Sequence, residues 1–260
     1  MKRIVLIGSG RVAEVLGTEI FRCPSLCLEQ LFARNAERGR QLAERWHCDW
    51  TDDPAALAAA DLYLLAVSDR AVAALSSRLS FPAESVVAHT AGALPVEALE
   101  GSIRHRAVLY PLQTFTQGRR IEPFRTTPFF VEGTTPEALR CVREVGESLS
   151  DRVALLDSAG RERLHLAAVF VNNFSNLMYT LGAELAAGAG VPFDALRPLL
   201  EETARKALQM DPREAQTGPA VRGDEATCRR HRELLRAHNP ELESIYELLS
   251  ETIWETSKRS

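Results

Sequence analysis

The stretch that most constrains the fold runs from Arg3 to Gly17 and reads RIVLIGSGRVAEVLG. Its aliphatic and β-branched run, IVLI, predicts a strand that is buried on both faces. The run stops at a Gly-Ser-Gly turn, after which apolar residues recur at helical spacing. A strand, a tight glycine turn and a helix form the first half of a dinucleotide-binding βαβ unit, whose pattern is G-x-G-x-x-G or G-x-G-x-x-A.

The glycines of this turn have separate roles in such a unit. Gly8 permits the turn, and Gly10 lets the backbone approach a pyrophosphate, which then lies on the N–H groups at the helix N-terminus. Ala13 replaces the third glycine and is small enough for the helix to pack on the strand. An ordinary glycine turn is the alternative. The cofactor interpretation predicts contacts from Gly8, Ser9, Gly10, Arg11 and Val12.

The end of the second predicted strand, Leu28 to Ala33, indicates which dinucleotide would bind. An NAD site has Asp or Glu about twenty residues beyond the glycines, where it accepts hydrogen bonds from the ribose hydroxyls. Here Arg34 and Asn35 occupy that place, and Arg38 follows one turn later. A guanidinium donates two charge-assisted hydrogen bonds to a 2′-phosphate, which a carboxylate would repel. We therefore expect NADP, although arginines are also common at the solvated start of a helix.

Strand and helix signals keep alternating along the first part of the chain. Buried strands are predicted over residues 61–67, 85–88, 107–109, 129–131 and 153–155. This βαβα order predicts an α/β fold, a Rossmann-like, doubly wound and mainly parallel sheet. Ligands of such sheets bind outside the carboxyl ends of the strands. The candidates there are Val67, Ser68, His89 and Thr90 for the cofactor and Gln113 for a substrate, each with the alternative role of a capping or turn residue.

Strand signals stop near residue 157. The remainder is predicted to be helical over residues 159–189, 193–209, 224–238 and 240–257. We therefore expect two domains, a Rossmann-like NADP-binding domain over residues 1–156 and an all-α substrate and dimerisation domain over residues 157–260.

The first of these helices carries polar residues on an apolar background. His165, Asn172 and Asn176 recur at spacings that place them on one face of an α-helix. Asparagine is a poor helix former, and a buried amide needs hydrogen-bond partners. This face predicts a site shared with the first domain. The alternative is an interhelical hydrogen-bond network that only fixes packing.

Four segments carry a resemblance to a known group of proteins: HTAGALPVEAL (89–99), YPLQTF (110–115), HLAAVFVNNFSNLMY (165–179) and TGPAVRGD (217–224). They are similar to segments of bacterial NADP oxidoreductases in which a Rossmann domain is joined to a helical domain of unknown function. That group is related to ketopantoate reductase, pyrroline-5-carboxylate reductase, prephenate dehydrogenase and the 6-phosphogluconate dehydrogenase-like enzymes. The resemblance covers essentially the whole chain.

One position departs from the ketopantoate reductase-like pattern. In those enzymes a lysine, four residues before the first of two asparagines, protonates the carbonyl oxygen as hydride arrives. Asn172 and Asn176 match the asparagine pair, but Ala168 occupies the lysine position. His165 lies one turn earlier, and an imidazole ordinarily titrates near neutrality. The catalytic candidates are therefore His165, Asn172 and Asn176, with the histidine in a role that resembles prephenate dehydrogenase-like sites. A capping or packing histidine is the alternative.

The TGPAVRGD segment contributes a last candidate. Asp224 is expected to cap the following helix, and Arg222 is a candidate for binding a substrate carboxylate. A solvated arginine beside a capped helix start is the alternative. In related reductases the helical domain builds a dimer, and its loops can complete the partner's site. The resemblance therefore implies a homodimer.

Composition excludes several classes. With 45% hydrophobic residues, 25% charged residues and a net charge of −4, the 260-residue chain resembles a soluble globular protein and not a general nucleic-acid binder. No apolar stretch has the length of a membrane span, and we expect no signal peptide. The five cysteines lack metal-ligand spacing. We therefore expect reduced thiols, no metal site and a cytoplasmic location.

Two function classes remain open. In the first, the protein is an NADP-dependent oxidoreductase that acts on a small carbonyl or imine substrate, with or without a carboxylate. In the second, it is an NADP-binding sensor or interaction protein without redox turnover, which the absent lysine favours.

Overall fold

The computed structural model describes residues 1–258, apart from the side chain of residue 238. The first part of the chain forms one sheet of eight strands in the order β3-β2-β1-β4-β5-β6-β7-β8. The strands are β1 Lys2–Ile7, β2 Leu26–Phe32, β3 Asp49–Thr51, β4 Leu62–Leu65, β5 Val86–His89, β6 His105–Pro111, β7 Phe129–Gly133 and β8 Val153–Leu155. Neighbouring strands are parallel except for β6 and β7, which are antiparallel.

Helices cover both faces of this sheet, as the doubly wound arrangement requires. They are α1 Arg11–Arg22, α2 Ala36–Trp46, α3 Asp69–Arg78 and α4 Pro136–Leu149. Ile4 and Leu6 of β1 pack into the core on the side of α1, α2 and α4, whereas Val5 and Ile7 pack into the core that includes α3. The predicted Rossmann-like fold is therefore confirmed, including the burial of β1 on both faces.

The register of the central strands places their carboxyl ends side by side at one edge of the sheet. Ile7, the last residue of β1, pairs with Phe32 of β2 on one side and with Leu65 of β4 on the other. The chain order reverses between β1 and β4, so this edge is the switch point at which doubly wound sheets bind their ligands.

The rest of the chain is helical. A continuous helix is formed by α5 Ser158–Ala168, a π-helical turn over Val169–Phe174 and α6 Ser175–Gly188. The later helices are α7 Arg197–Gln209, α8 Pro212–Ala215, α9 Glu225–His238 and α10 Pro240–Ser257. Asp224 caps α9 as predicted, because its Oδ1 accepts from the N–H of Thr227 at 3.0 Å. No helix in the described part of the chain is both long enough and apolar enough to cross a bilayer.

The chain forms two compact units, Met1–Leu177 and Met178 onward. The first unit includes α5 and the π-helical turn as well as the sheet. Strands end at Leu155, close to the predicted boundary after residue 156. That boundary stays a prediction, since a change from strands to helices does not by itself separate two units.

Two features differ from the sequence-based expectations. The short edge strand β3 was not predicted, because three residues carry too little alternation to be recognised. The helix predicted over 159–189 contains the turn Val169–Phe174, whose hydrogen bonds span one residue more than those of an α-helix.

Candidate functional site

A cleft of about 880 Å³ lies at the carboxyl ends of β1, β2 and β4. It is bounded by the turn after β1, the turn after β2 and the turn after β4. Nine of the residues predicted to bind the cofactor line it: Gly8, Ser9, Gly10, Arg11, Val12, Arg34, Asn35, Val67 and Ser68. The structure therefore gathers these nine residues in one place, and their role in binding stays a prediction.

Gly8 makes the turn after β1 possible. Its φ of +122° is one that other residues rarely adopt. A Cβ at this position would lie 2.4 Å from the carbonyl oxygen of Ala66, at the end of the neighbouring strand. The protein fold itself therefore requires this glycine.

Gly10 is required by nothing in the protein. Its backbone is extended, with φ of −78°, and it is the N-cap of α1 without any side-chain cap. Apart from Gly10 itself and its two neighbours in the chain, no heavy atom of the described residues lies within 4 Å of the place where its Cβ would be. The first N–H groups of a helix have no partner within the helix, and they attract anions. A bare backbone at a helix start, facing open space, fits a pyrophosphate.

The turn after β2 presents one arginine to the cleft. Arg34 is exposed there, and Asn35 caps α2 by accepting from the N–H of Arg38 at 2.9 Å. Arg38 is already engaged, since its guanidinium donates to Glu14 at 2.5 Å. Arg34 is therefore the better placed of the two arginines to bind a 2′-phosphate.

Trp50 holds the backbone of this turn through a hydrogen bond. Its indole N–H donates to the carbonyl oxygen of Ala33 at 3.2 Å, and Ala33 itself lines the cleft. The guanidinium of Arg40 lies over the face of the indole, with its Cζ 4.7 Å from the ring centroid. The backbone that leads to Arg34 is thus held by a side chain of the next strand.

His89 and Thr90 are not among the residues that line the cleft. The Thr90 hydroxyl points back to the carbonyl of Leu65. The imidazole of His89 is fully buried; its Nδ1 accepts from the N–H of Ala91 at 3.2 Å, and its Nε2 lies 3.1 Å from the carbonyl of Pro95. Burial lowers the pKa of His89 to about 4, so the ring is neutral near pH 7. With both nitrogens occupied, the side chain shapes the loop after β5. The role of His89 and Thr90 in cofactor binding stays a prediction.

The loop after β5 is also fixed by a buried arginine. Arg161, on α5, donates to Glu132 and to the carbonyl of Leu94, both at 2.5 Å. Ser158 joins the same network, because its hydroxyl donates to Glu132 at 2.8 Å and accepts from the N–H of Val96 at 3.0 Å. These contacts dock the start of α5 on the sheet. The sequence analysis did not identify Arg161, although its position four residues before His165 places the two on one helix face.

His165 lies beside this loop, where it contacts Gly92 and Tyr110. Its Nδ1 is 3.0 Å from the hydroxyl of Tyr110, which sits near the end of β6. Gly92 packs against the same ring: a Cβ there would lie 2.5 Å from Nδ1. Neighbouring strands are about 4.8 Å apart, so β6 lies roughly 10 Å along the sheet edge from β4 and its cleft. His165, although half-buried, is not one of the residues that line the cleft.

The asparagines lie on the π-helical turn and just after it. Asn172, Asn173 and Asn176 are exposed, and the predicted pair is not part of the cleft lining. The spacing argument assumed α-helical geometry, whereas the π turn adds about one residue to a helical turn. The π turn therefore changes the helical phase of Asn172 and Asn176 relative to His165. π turns are frequent at functional sites, and the catalytic roles of these residues stay predictions.

Two predicted substrate residues lie elsewhere. Gln113 is exposed after β6, where its side-chain oxygen accepts from the N–H of Thr114 at 2.8 Å. Arg222 lines a separate cleft of about 660 Å³ within the second compact unit, together with Tyr246 and Trp254. Hydrogen bonds from Thr227, and to a lesser degree the charge of Arg222, lower the pKa of Asp224.

In the part of the chain that the structure describes, no three metal-ligating side chains come together.

Comparisons with known proteins place these features in context. Residues 127–253 match the model of a domain of unknown function, DUF2520. A protein from Bacteroides fragilis described as a "putative NADP oxidoreductase" is 39% identical, with 98% of both chains covered and a TM-score of 0.90. No curated protein matches the sequence.

Two more distant structures share the fold. The 1-pyrroline-5-carboxylate reductase from Streptococcus pyogenes is 14% identical, with 100% of this chain and 99% of that chain covered and a TM-score of 0.63. An imine reductase from Myxococcus stipitatus, in complex with NADP⁺, is 13% identical, with 99% and 95% covered and a TM-score of 0.65.

Proposed function

Because the chain belongs to the family of that Bacteroides fragilis oxidoreductase, we propose that it is an NADP-dependent oxidoreductase that reduces a small carbonyl or imine compound. The observation that carries this proposal is the cleft after β1. It combines an uncapped helix start at Gly10, open space in front of it and an exposed arginine at the end of β2.

The residues of this cleft fit a phosphorylated dinucleotide. The N-terminus of α1 would hold the pyrophosphate, and Arg34 would hold the 2′-phosphate of the adenosine ribose. Val67 and Ser68 extend the lining toward the end of β4, on the side of β5 and β6. When bound, the reduced cofactor supplies a hydride.

His165 is the group that we assign as proton donor to the reduced substrate. It stands beside β5 and β6 at the carboxyl edge of the sheet, on the same edge as the cleft. Asn172 and Asn176 remain candidates for binding the polar end of the substrate, as do Gln113 and Arg222. The names of the distant relatives favour a C=N substrate, and the exposed Arg222 favours a carboxylate on it.

A homodimer is part of the proposal. The helix through residues 158–188 exposes large apolar side chains along much of its length: Leu166, Phe170, Val171, Phe174, Leu177, Tyr179 and Leu185. Apolar surface of this extent on a helix is typical of a protein interface. We assign a second copy of the chain as its partner, as the family resemblance implies. The five free cysteines agree with a reducing, cytoplasmic location.

The test of the cofactor assignment is a titration of NADPH and NADH against wild type, Arg34→Ala and Arg38→Ala. We expect wild type to bind NADPH more tightly. Arg34→Ala should lose about 1.5–3 kcal/mol of NADPH binding, roughly 10- to 150-fold in Kd, because hydrogen bonds to a charged group are lost. Arg38→Ala is the control, since Arg38 pairs with Glu14, which keeps Arg45 as a partner. Equal affinities for the two cofactors in wild type would contradict the assignment.

Turnover is tested separately from binding. NADPH oxidation is followed with small 2-keto acids and with cyclic imines of the 1-pyrroline type, alone and carrying a carboxylate. Oxidation that depends on one of these compounds supports the reductase. Tight NADPH binding without turnover of any of them would favour the sensor alternative.

A further inference from the structure

The loop after β5, residues 89–96, is held by an unusual number of buried polar contacts. Both nitrogens of His89 are used within it, and Arg161 and Ser158 bind its backbone from α5. Arg161 is fully buried, and desolvating a charge is costly unless partners compensate for it. A loop that only connects two strands needs none of this. The contacts fix the backbone on either side of Gly92.

Gly92 has no side chain because an imidazole occupies the space. It is not one of the glycines with a positive φ, so its backbone conformation does not demand glycine. A Cβ there would lie 2.5 Å from Nδ1 and 2.8 Å from Cγ of His165, and 2.9 Å from Cε2 of Tyr110. The rigid loop thus forms a wall against the Nδ1 edge of the ring.

Tyr110 completes this wall. Its hydroxyl lies 3.0 Å from Nδ1 of His165, and the two rings meet edge to face with centroids 6.0 Å apart. Burial raises the pKa of Tyr110, so the phenol keeps its proton. A hydroxyl oxygen accepts hydrogen bonds. It accepts from the Nδ1–H of the charged ring, and it still accepts from the same N–H of the neutral ring that remains once Nε2 has given up its proton.

We propose that Tyr110 is a positioning residue that, with Gly92, holds the Nδ1 edge of His165 in both protonation states and leaves Nε2 as the nitrogen that meets the substrate. This inference rests on the proposed function, and it identifies the group that makes His165 fit for proton transfer. The imidazole of His165 keeps its orientation when the Nε2 proton leaves.

The proton balance of the step is simple. The imidazolium of His165 gives its Nε2 proton to the substrate nitrogen or oxygen, while the substrate carbon receives the hydride. The C=N or C=O double bond becomes an N–H or O–H bond and a C–H bond, the cofactor is oxidised, and the ring becomes neutral. A proton from solvent then restores the imidazolium.

The test measures the NMR resonances of the imidazole nitrogens in the full-length protein. Histidine nitrogens are labelled with ¹⁵N, and the imidazole resonances are recorded about two pH units above the ordinary titration of imidazole. His165→Gln identifies the His165 signals. We expect Tyr110→Phe, which keeps the buried ring, to move the Nδ1 resonance of His165 toward that of a nitrogen without a hydrogen bond. An unchanged resonance would overturn the pairing.

The chain offers a matched control. Tyr246 and His231 form a second pair, with the hydroxyl 2.9 Å from Nδ1 and ring centroids 5.6 Å apart. Tyr246→Phe should move the His231 resonance and leave that of His165 in place. Movement of the His165 resonance in this control as well would show that the effect is not local, and it would overturn the inference.

Kinetics on the imine or keto acid that wild type reduces give the second readout. Misplacing a catalytic group by about 1 Å can cost about 10²-fold, so Tyr110→Phe should lower kcat by that order with KM unchanged within a few-fold. Gly92→Ala should do the same, since the methyl group displaces the ring. Thermal unfolding identifies variants that fail to fold. A wild-type kcat in Tyr110→Phe would overturn the inference. If wild type reduces nothing, the proposed function fails, and the Nδ1 resonance alone decides the pairing.

Discussion

At the scale of single residues, two neighbouring glycines are needed for different reasons. Gly8 has a left-handed backbone and abuts the carbonyl of Ala66, so the fold requires it. Gly10 has an ordinary backbone and open space beside it. Glycine is preferred over alanine at an N-cap, and the open space beside Gly10 fits a ligand that approaches the backbone closely.

This contrast separates folding from binding by mutation. Gly8→Ala should lower the free energy of unfolding by about 1–3 kcal/mol or more, because it combines a strained φ with a clash against backbone. Gly10→Ala should lower it by less, about 0.5–1 kcal/mol, because glycine is preferred over alanine at an N-cap, while NADPH affinity falls by at least tenfold. Urea unfolding and a cofactor titration measure the two effects.

Either of two results would contradict this assignment. Gly10→Ala that binds NADPH as wild type does would remove the close approach of a pyrophosphate at this turn. Gly8→Ala with wild-type stability would show that the turn adapts without strain.

The residues that could be predicted from sequence are those whose roles depend on local order. The glycine turn, Arg34 and Ser68 follow strand ends, and the structure places them at one cleft. Tyr110 could not be found in this way, because its contact with His165 depends on how β6 sits in the sheet. His89 was predicted for the cofactor from the same rule, because it also ends a strand. Its side chain instead turns inward to its own loop.

At the scale of elements, alternation of strands and helices predicted most of the sheet. Pattern alone could not give the antiparallel direction of β7, since a buried strand has the same composition in either direction. The π turn could not be predicted from the sequence either, because VFVNNF contains no glycine or proline that marks an interruption of the helix. A one-residue change in helical phase is invisible in a sequence and decides which side chains share a face.

The loop after β5 makes stability depend on pH. The pKa of His89 is about 4 in the folded protein, with burial as the main cause. The hydrogen bond with the Pro95 carbonyl raises it, and the charge of Arg161 lowers it further. In the unfolded chain it is about 6.5. The unfolded state thus binds the proton first as pH falls. The contribution of His89 is full above about pH 6.5 and is lost as pH falls toward 4, by up to about 3 kcal/mol.

The measurement is urea unfolding between pH 4 and 8 in wild type, His89→Gln and His47→Asn. A glutamine amide can still donate to Pro95 and accept from Ala91, but it does not titrate, so the slope below pH 6.5 should flatten. His47 is exposed, with a φ of +51° that asparagine tolerates, and its variant should keep the wild-type slope. The same slope in His89→Gln as in wild type would contradict the assignment.

At the scale of the whole molecule, the exposed apolar side chains bear on the oligomeric state. Val171 is 78% exposed, Phe170 61% and Leu208 88%. Phe170 also packs edge to face on Phe174, with ring centroids 5.0 Å apart, so the two present one apolar surface. A second copy that covers such surfaces would make stability rise with protein concentration.

Sedimentation velocity tests the homodimer. Wild type should sediment as a dimer at micromolar concentration, and Phe170→Arg should shift the equilibrium toward monomer, since a charge would be buried without a partner. Glu162→Arg, an exposed polar position on the same helix, is the control and should remain a dimer. A wild-type monomer over the whole concentration range would refute the dimer, and a partner of another kind would then cover this surface.

The position of Trp50 has an optical consequence. The chain has three tryptophans, and this one is hydrogen-bonded to Ala33 on the wall of the cleft. Indole emission overlaps the absorption band of a reduced nicotinamide, so a dinucleotide seated in the cleft would quench Trp50 by energy transfer. The protein thus carries its own fluorescent reporter for the arrival of the reduced cofactor, without an attached dye.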